Sequence, residues 1–286
     1  MSQGEIRIRE RETGFGRQQF IDYEPPAHLR PHVISHQGYS ERIERLIRRK
    51  ALPHRAAVFV VNFGDPVTVI DPHTPSRTRT HPSTFIAGLH DQYVVLEQQG
   101  LSQGIQVNLT PIGARLFLGV SMHELANSGA HLEDILGPGA RDLTERLRDA
   151  PDWPSRFAML DDALTGRITS AELNEGIAWA WRVVDGTRGR AQIAAIADRL
   201  GVSHRHLIAE FREHVGLPPR TVGRIARFAG AVRLLQSGSA RRWADIAIES
   251  GYYDQAHLVR DFRQFAGATP TEYERELREV ERTTAS

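Results

Sequence analysis

Two stretches of the sequence carry the same small set of residues at nearly the same spacing. In residues 191–219, Ala197 is followed by Gly201, then by Leu207 and Phe211 four apart, then by Gly216 and Pro219. In residues 240–270, Ala247, Gly251, Leu258, Phe262, Gly267 and Pro270 recur in that order, displaced by 50 and then 51 positions. An alanine at the centre of a short helix lets a second helix cross closely, and a glycine four residues on supplies the positive φ of a tight turn. The apolar pair seats the second helix on a core and leaves its other face free. That is how a helix-turn-helix lays a helix in the major groove of DNA. A single copy is common to helical hairpins in general. Two matched copies, joined by a helical segment at 220–236, are a far more specific signal.

The elements that must position these motifs fall into three parts. Residues 1–20 are charged, glycine-bearing and aperiodic, which predicts a flexible lead-in. From Tyr23 to about Thr110 the pattern is that of strands. Val58–Val61 and Val67–Ile70 flank the turn residues Gly64, Asp65 and Pro66, which predicts a hairpin, and further strands are expected at Thr84–Ala87, Tyr93–Glu97 and Ile105–Leu109. Such spacing indicates an antiparallel sandwich or barrel. After Pro111 the period becomes helical, with helices predicted at Met122–Asn127, His131–Leu136, Gly139–Arg148, Trp153–Leu164 and Ala171–Val184. Asp152 or Pro154 opens the fourth of these, and Ser170 caps the fifth. Residues 185–190 then read as a linker. The expected fold is therefore α+β with two domains: a β-rich domain with trailing helices at 21–184, and an all-α domain at 191–286 holding both motifs.

Composition bounds the chemistry. The chain has 286 residues, 40% apolar and 25% charged, and no cysteine. Disulfides, thiolate zinc, iron–sulfur clusters and cysteine nucleophiles are thereby excluded. No apolar run approaches the ~20 residues that span a bilayer, and no signal-peptide pattern opens the chain, so a soluble, cytoplasmic protein with no membrane partner is expected. Of the 36 basic residues only Lys50 is a lysine. Residues 186–270 hold 13 Arg against 7 Asp or Glu, a balance of +6, and the remainder holds 23 basic against 28 acidic, a balance of −5; together they give the net +1. A basic helical region on an acidic remainder suggests a polyanion-binding module joined to something else.

The second motif and its continuation, Ile246-Ala247 through Gly251-Tyr252-Tyr253-Asp254-Gln255-Ala256-His257-Leu258, then Phe262-Arg263 and Gly267-Ala268-Thr269-Pro270-Thr271-Glu272-Tyr273, resemble the DNA-binding region of the AraC/XylS family of bacterial transcription regulators. The resemblance runs over about 191–275. Tyr252 and Leu258 stand where phenylalanine is usual, Ala256 where serine is, and Glu274 where the family has arginine, which weakens a phosphate contact there. The N-terminal part resembles actinobacterial-type members through Pro26–Val33, Gly38-Tyr39, Phe85–Leu89, Val107–Ala114 and Leu132–Gly137. It implies a cupin-like β domain for sensing or dimerisation.

By position in the family pattern, the resemblance implies base contacts from Arg205, Ile208 and Ala209 in the first motif, and from Gln255, Ala256, Val259 and Arg260 in the second. Arg205 can bond guanine through two atoms and Gln255 can do the same for adenine, while the apolar residues suit thymine methyls. The competing reading of Arg205 is a phosphate contact or a solvated side chain. Phosphate positioning falls to Ser203, His204, His206, Arg212, His257 and Arg263, and to Arg224 and Arg227 on the joining helix. Double-stranded DNA and RNA polymerase are the implied partners, with activation as the implied mode, and a small-molecule effector and a homodimer as further expectations.

A second function class stays open: a metal-dependent cupin-type enzyme with an appended helical module. His28, His32 and His36 are spaced four apart, and His54, His73, His81 and His90 lie in the strand region, but no compact His-x-His…Glu…His pattern is present. No phosphate-binding Gly-Lys-Ser/Thr loop, Gly-x-Ser-x-Gly elbow or His-Glu-x-x-His motif occurs either. No catalytic residue, metal or cofactor is assigned.

Overall fold

The computed structural model describes residues 5–13, 16–237 and 242–285. The strands, in chain order, are β1 Ile6–Thr13, β2 Gly16–Tyr23, β3 Val33–Ala51, β4 Ala57–Asn62, β5 Val67–Ile70, β6 Arg79–His81, β7 Phe85–Ala87, β8 Val94–Leu109 and β9 Gly129–His131. The helices are α1 Pro111–Leu118, α2 Leu132–Leu136, α3 Pro138–Asp149, α4 Trp153–Ser170, α5 Glu175–Gly186, α6 Ile193–Leu200, α7 His204–Val215, α8 Pro219–Gln236, α9 Trp243–Ser250, α10 Gln255–Ala266 and α11 Pro270–Ala285. This is the expected α+β order, an antiparallel sheet followed by helices and then an all-α C-terminal region.

The sheet is built on two long strands. β3 and β8 pair antiparallel from Val33 opposite Leu109 to Ala51 opposite Val94, with a register shift between Ile43 and Ile47 that bends the pair. The strands predicted at Tyr93–Glu97 and Ile105–Leu109 are thus the two ends of one strand. The predicted hairpin between Val58–Val61 and Val67–Ile70 does not form. Both strands pair along the same edge of β8, and the residues between them follow it too, with Gly64 N donating to Gln103 O (3.1 Å) and Asp65 N to Leu101 O (2.7 Å). The turn residues make an irregularity in one edge and not a reversal.

The lead-in at 1–20 is corrected as well: β1 and β2 form an antiparallel hairpin whose second strand pairs with β3. Residues 1–4, 14 and 15 of that stretch lie outside the described ones, as do 240 and 241 at the start of the second motif. Residues 122–127 are turns where a helix was predicted: Leu125 N donates to Met122 O and Ala126 N to His123 O, three residues back, and Asn127 N turns away to Leu89 O (2.9 Å). Asn174, and not Ser170, caps α5, accepting from Ile177 N, whereas Ser170 donates back to Arg167 O and ends α4.

One face of the sheet carries Ile21, Phe59, Val61, Ile105, Val107 and Leu109, all fully buried against Phe117, Phe157 and Leu160 of the trailing helices. Phe59 and Phe117 meet at 5.4 Å between ring centroids. The same core continues without a break into the C-terminal helices. The other face holds a small separate cluster of Val60, Val67 and Phe85 beside a cavity of about 310 Å³. No helix among the described residues is long and apolar enough to cross a membrane.

Candidate nucleic-acid interface

The two repeats fold alike. α6 ends at Gly201 (φ 67°) and α9 at Gly251 (φ 90°), both left-handed, a conformation that side chains with a Cβ rarely adopt. The residue after each glycine closes the same wide turn: Val202 N donates to Ala197 O (3.1 Å) and Tyr252 N to Ala247 O (2.9 Å). The next helix starts on a side-chain cap in both copies, Ser203 accepting from His206 N and Asp254 from His257 N. Ala197, Ala247, Leu207, Phe211, Leu258 and Phe262 are all buried. α7 and α10 therefore sit on the core by one stripe and expose another.

On the exposed stripe of α7 lie His204, Arg205, His206, Ala209 and Arg212, with Ile208 half-buried. On that of α10 lie Gln255, Ala256, His257, Arg260 and Arg263, with Val259 half-buried. Each recognition-helix residue expected to contact DNA thus reaches solvent. Some arginines are partly committed: the Arg260 guanidinium donates to Ala256 O at 3.3 Å. Tyr253, in the turn before Asp254, is 90% exposed and its ring stands edge-on to His257 at 6.5 Å. Sequence reading passed over it, although its place just ahead of a helix cap was the available signal.

The joining-helix arginines are placed differently from the expectation. Arg224 donates to Asp261 Oδ1 from Nε (3.0 Å) and Nη2 (2.6 Å), and to Gln264 Oε1 (2.6 Å), while stacking over Phe265. Arg227 donates to Arg188 O (2.9 Å) and lies over Tyr252; burial pushes its guanidinium below the usual arginine range. Both are structural ties, since i±3 and i±4 positions of α8 face α9 and α10. Arg188 donates to Glu249 O and Arg199 lies over Trp179, so several of the 13 arginines counted in the basic region are engaged by the protein itself.

α8 fixes how far apart the two motifs can sit. Its 18 residues correspond to a rod of about 27 Å at ~1.5 Å per residue. The C-terminal region and the linker are also tied to the N-terminal domain. Glu213 of α7 accepts from Ser121 Oγ (2.6 Å) and pairs with Arg115 (3.5 Å). Lys50 pairs with Glu276 of α11 (3.0 Å), and Arg55 with Asp185 at the linker (2.7 Å). Neither Glu213 nor Asp261 was singled out in the sequence, because each acts through a partner far away in the chain. Thr269 and Glu272 cap each other at the start of α11, a Thr-x-x-Glu signal that was legible.

The histidines do not converge. His28 bonds Thr165, His36 is buried beside Tyr23 and Phe157, and His32 is half-buried near Glu175. His81 stacks on Phe85 and His73 meets Tyr93 edge-on. Among the described residues, no group of three or more His, Asp or Glu is placed to hold a metal ion. His54 and His90 do line one cavity together.

Comparison with known proteins gives two separate family matches along the chain. Residues 196–276 match a family described as a helix-turn-helix domain, and residues 21–131 match a domain of unknown function (DUF6597). The HTH-type transcriptional activator RhaS of Escherichia fergusonii is 32% identical over 109 residues, covering 36% of each chain. The chain thus spans about a third of the length of the curated relative it matches. Among solved structures, ToxT from Vibrio cholerae aligns at TM-score 0.47 and 12% identity over 84% of this chain and 97% of that one. The C-terminal domain of AraT, a response regulator from Geobacillus stearothermophilus, aligns at TM-score 0.34 and 21% identity over 37% of this chain and 88% of that one.

Proposed function

We propose that this chain is a transcription regulator of the AraC/XylS type that binds DNA sequence-specifically with α7 and α10 and activates transcription from the site it occupies. The observation that carries the reading is the pairing of two matched motifs, each with a left-handed glycine, a capped second helix and an exposed stripe holding a residue suited to base recognition, Arg205 or Gln255. Ile208, Ala209, Ala256 and Val259 are the apolar readers, with Arg260 beside them. Ser203, His204, His206, Arg212, His257 and Arg263 hold phosphates, and RNA polymerase is the partner through which binding acts.

The sheet domain, in this reading, controls that activity from the cytoplasm as an effector-binding and dimerising unit. The cavity on its uncovered face supports the first role. A segment from Leu52 to Ala56 lines both this cavity and the crevice against α8, so an occupant of the cavity touches the segment that faces the joining helix.

Mobility shift on the DNA upstream of the chain's own gene, repeated over a salt series, tests the reading. A shift lost on scrambled DNA, with affinity falling steeply as salt rises, is expected. A log–log slope near zero, or equal affinity for scrambled DNA, contradicts it.

A further inference from the structure

The cavity on the open sheet face has a defined chemistry. Val58, Val60, Val69, Phe85, Val94 and Leu96 give it apolar walls, and no Lys, Arg, Asp or Glu lines it among the described residues. Its polar groups are few, and two are histidines. The antiparallel register of β4 and β7, Val58 opposite Ala87, carries the segment before β4 alongside the segment after β7. That is how His54 and His90, distant in the chain, reach one cavity.

Each imidazole has its proton position fixed by a one-way partner. Ala56 N–H donates to His54 Nδ1 (3.2 Å), so the neutral ring carries its hydrogen on Nε2. His90 Nδ1 bonds the Gly88 carbonyl (2.9 Å), which only accepts, so that hydrogen is on Nδ1 and Nε2 keeps its lone pair. Both rings stay neutral near neutral pH: burial brings His54 down to about 4, with His90 and Arg55 adding to it, and burial lowers His90. The two rings lining this cavity therefore bring it a donor, His54 Nε2, and an acceptor, His90 Nε2, between walls that hold no charged side chain.

We propose that the cavity binds a small, mostly apolar molecule with a neutral head group, such as a phenol, that accepts a hydrogen bond from His54 and donates one to His90. The assignment rests on the reading of the sheet domain as an effector-binding unit and gives that effector a chemical class. An ionised carboxylate finds no cation in the cavity and would face the His90 lone pair, so desolvation disfavours it. A molecule lacking the head group leaves both nitrogens without the hydrogen bonds that water had given them.

Calorimetric titration of the full chain at neutral pH with para-butylphenol, para-butylanisole, butylbenzene and para-butylbenzoate tests this. The phenol is expected to bind about tenfold more tightly than butylbenzene or the benzoate, with the anisole, which accepts but cannot donate, between them. His90→Phe should bring the phenol down to the anisole, and His54→Phe should lower both, with butylbenzene bound at least as tightly in either variant as the control for folding. If a variant loses butylbenzene too, the ranking of the four probes on the unaltered chain decides. Equal binding of phenol and benzoate, or of phenol and anisole, overturns the head-group assignment and leaves the effector reading standing. Binding by none of the four overturns both.

Discussion

A Cβ on Gly223 would lie 2.5 Å from the Cα of Gly189, so two glycines set the closest approach between the interdomain segment and the joining helix α8. The segment read from sequence as a linker is therefore a docked turn. Its Arg188 carbonyl accepts from Arg227, its Arg188 side chain reaches Glu249, and Asp185, at the end of α5, holds Arg55 of the sheet domain.

That contact predicts the sign of a substitution on which helix propensity and packing disagree. Gly223→Ala gains about 1 kcal/mol of intrinsic helix propensity. The new methyl meets backbone atoms that cannot rotate away, and overpacking of this kind costs about 1–3 kcal/mol. Net destabilisation and weaker DNA binding are expected in thermal unfolding and mobility shift. A more stable variant would show that the turn does not hold α8.

Arg224 and Arg263 should separate cleanly in a salt series. Arg224→Ala leaves the buried Asp261 without its partner, lowering stability while the log–log slope of DNA affinity against salt stays as it was. Arg263 is exposed on α10, and Arg263→Ala should weaken all sequences alike and reduce the slope by about 0.9, one phosphate's worth. Interchanged behaviour of the two variants would put Arg224, not Arg263, on the phosphate backbone.

Base reading is tested position by position. Arg205→Ala is expected to cost about 1–3 kcal/mol at one base pair and to relax specificity there, with Gln255→Ala doing the same at a different pair. Binding to a library with each position randomised gives the measurement. Uniform losses on cognate and scrambled DNA would assign Arg205 to phosphate instead.

Acid stability follows from two separate buried histidines and a buried carboxylate. Burial brings His36 down to about 3 and, with His131 and Arg79 adding to it, His81 down to about 4, both from near 6.5. The unfolded chain therefore binds these protons first, and stability is lost as pH falls below ~6.5. Asp161 opposes this. Burial raises its carboxyl to about 6, even though Tyr23 Oη donates to it at 2.6 Å and His28 adds a lowering charge, so the folded chain takes up this proton first and gains as pH falls from ~6 to ~4. Asp161→Asn removes the opposing effect. Its urea midpoint should fall more steeply with acidification over that window than that of the unaltered chain, and an equal or shallower fall would contradict the assignment.

The helix-turn-helix pair was legible in the sequence because its determinants are local. A left-handed turn needs Gly201 or Gly251, a helix start needs Ser203 or Asp254, and the apolar stripe repeats every three to four residues, all within one short stretch of chain. The mixed sheet-then-helix order was legible for the same reason. Pairing partners were not. Val58–Val61 and Val67–Ile70 carry hairpin grammar, yet β8 offers both a longer partner, and only the assembled sheet decides between them.

Charge shows the same division. The sequence alone determined that residues 186–270 hold an excess of arginine, and so that a polyanion partner was plausible for that half. Tertiary structure decided which of those charges remain outside, because Arg224, Arg227 and Arg188 meet Asp261, a backbone carbonyl and Glu249 O only once α8 packs on its neighbours. It also decided that His54 and His90 share a cavity, since the β4–β7 pairing brings together two rings whose tautomers are set locally in opposite senses by Ala56 N and the Gly88 carbonyl.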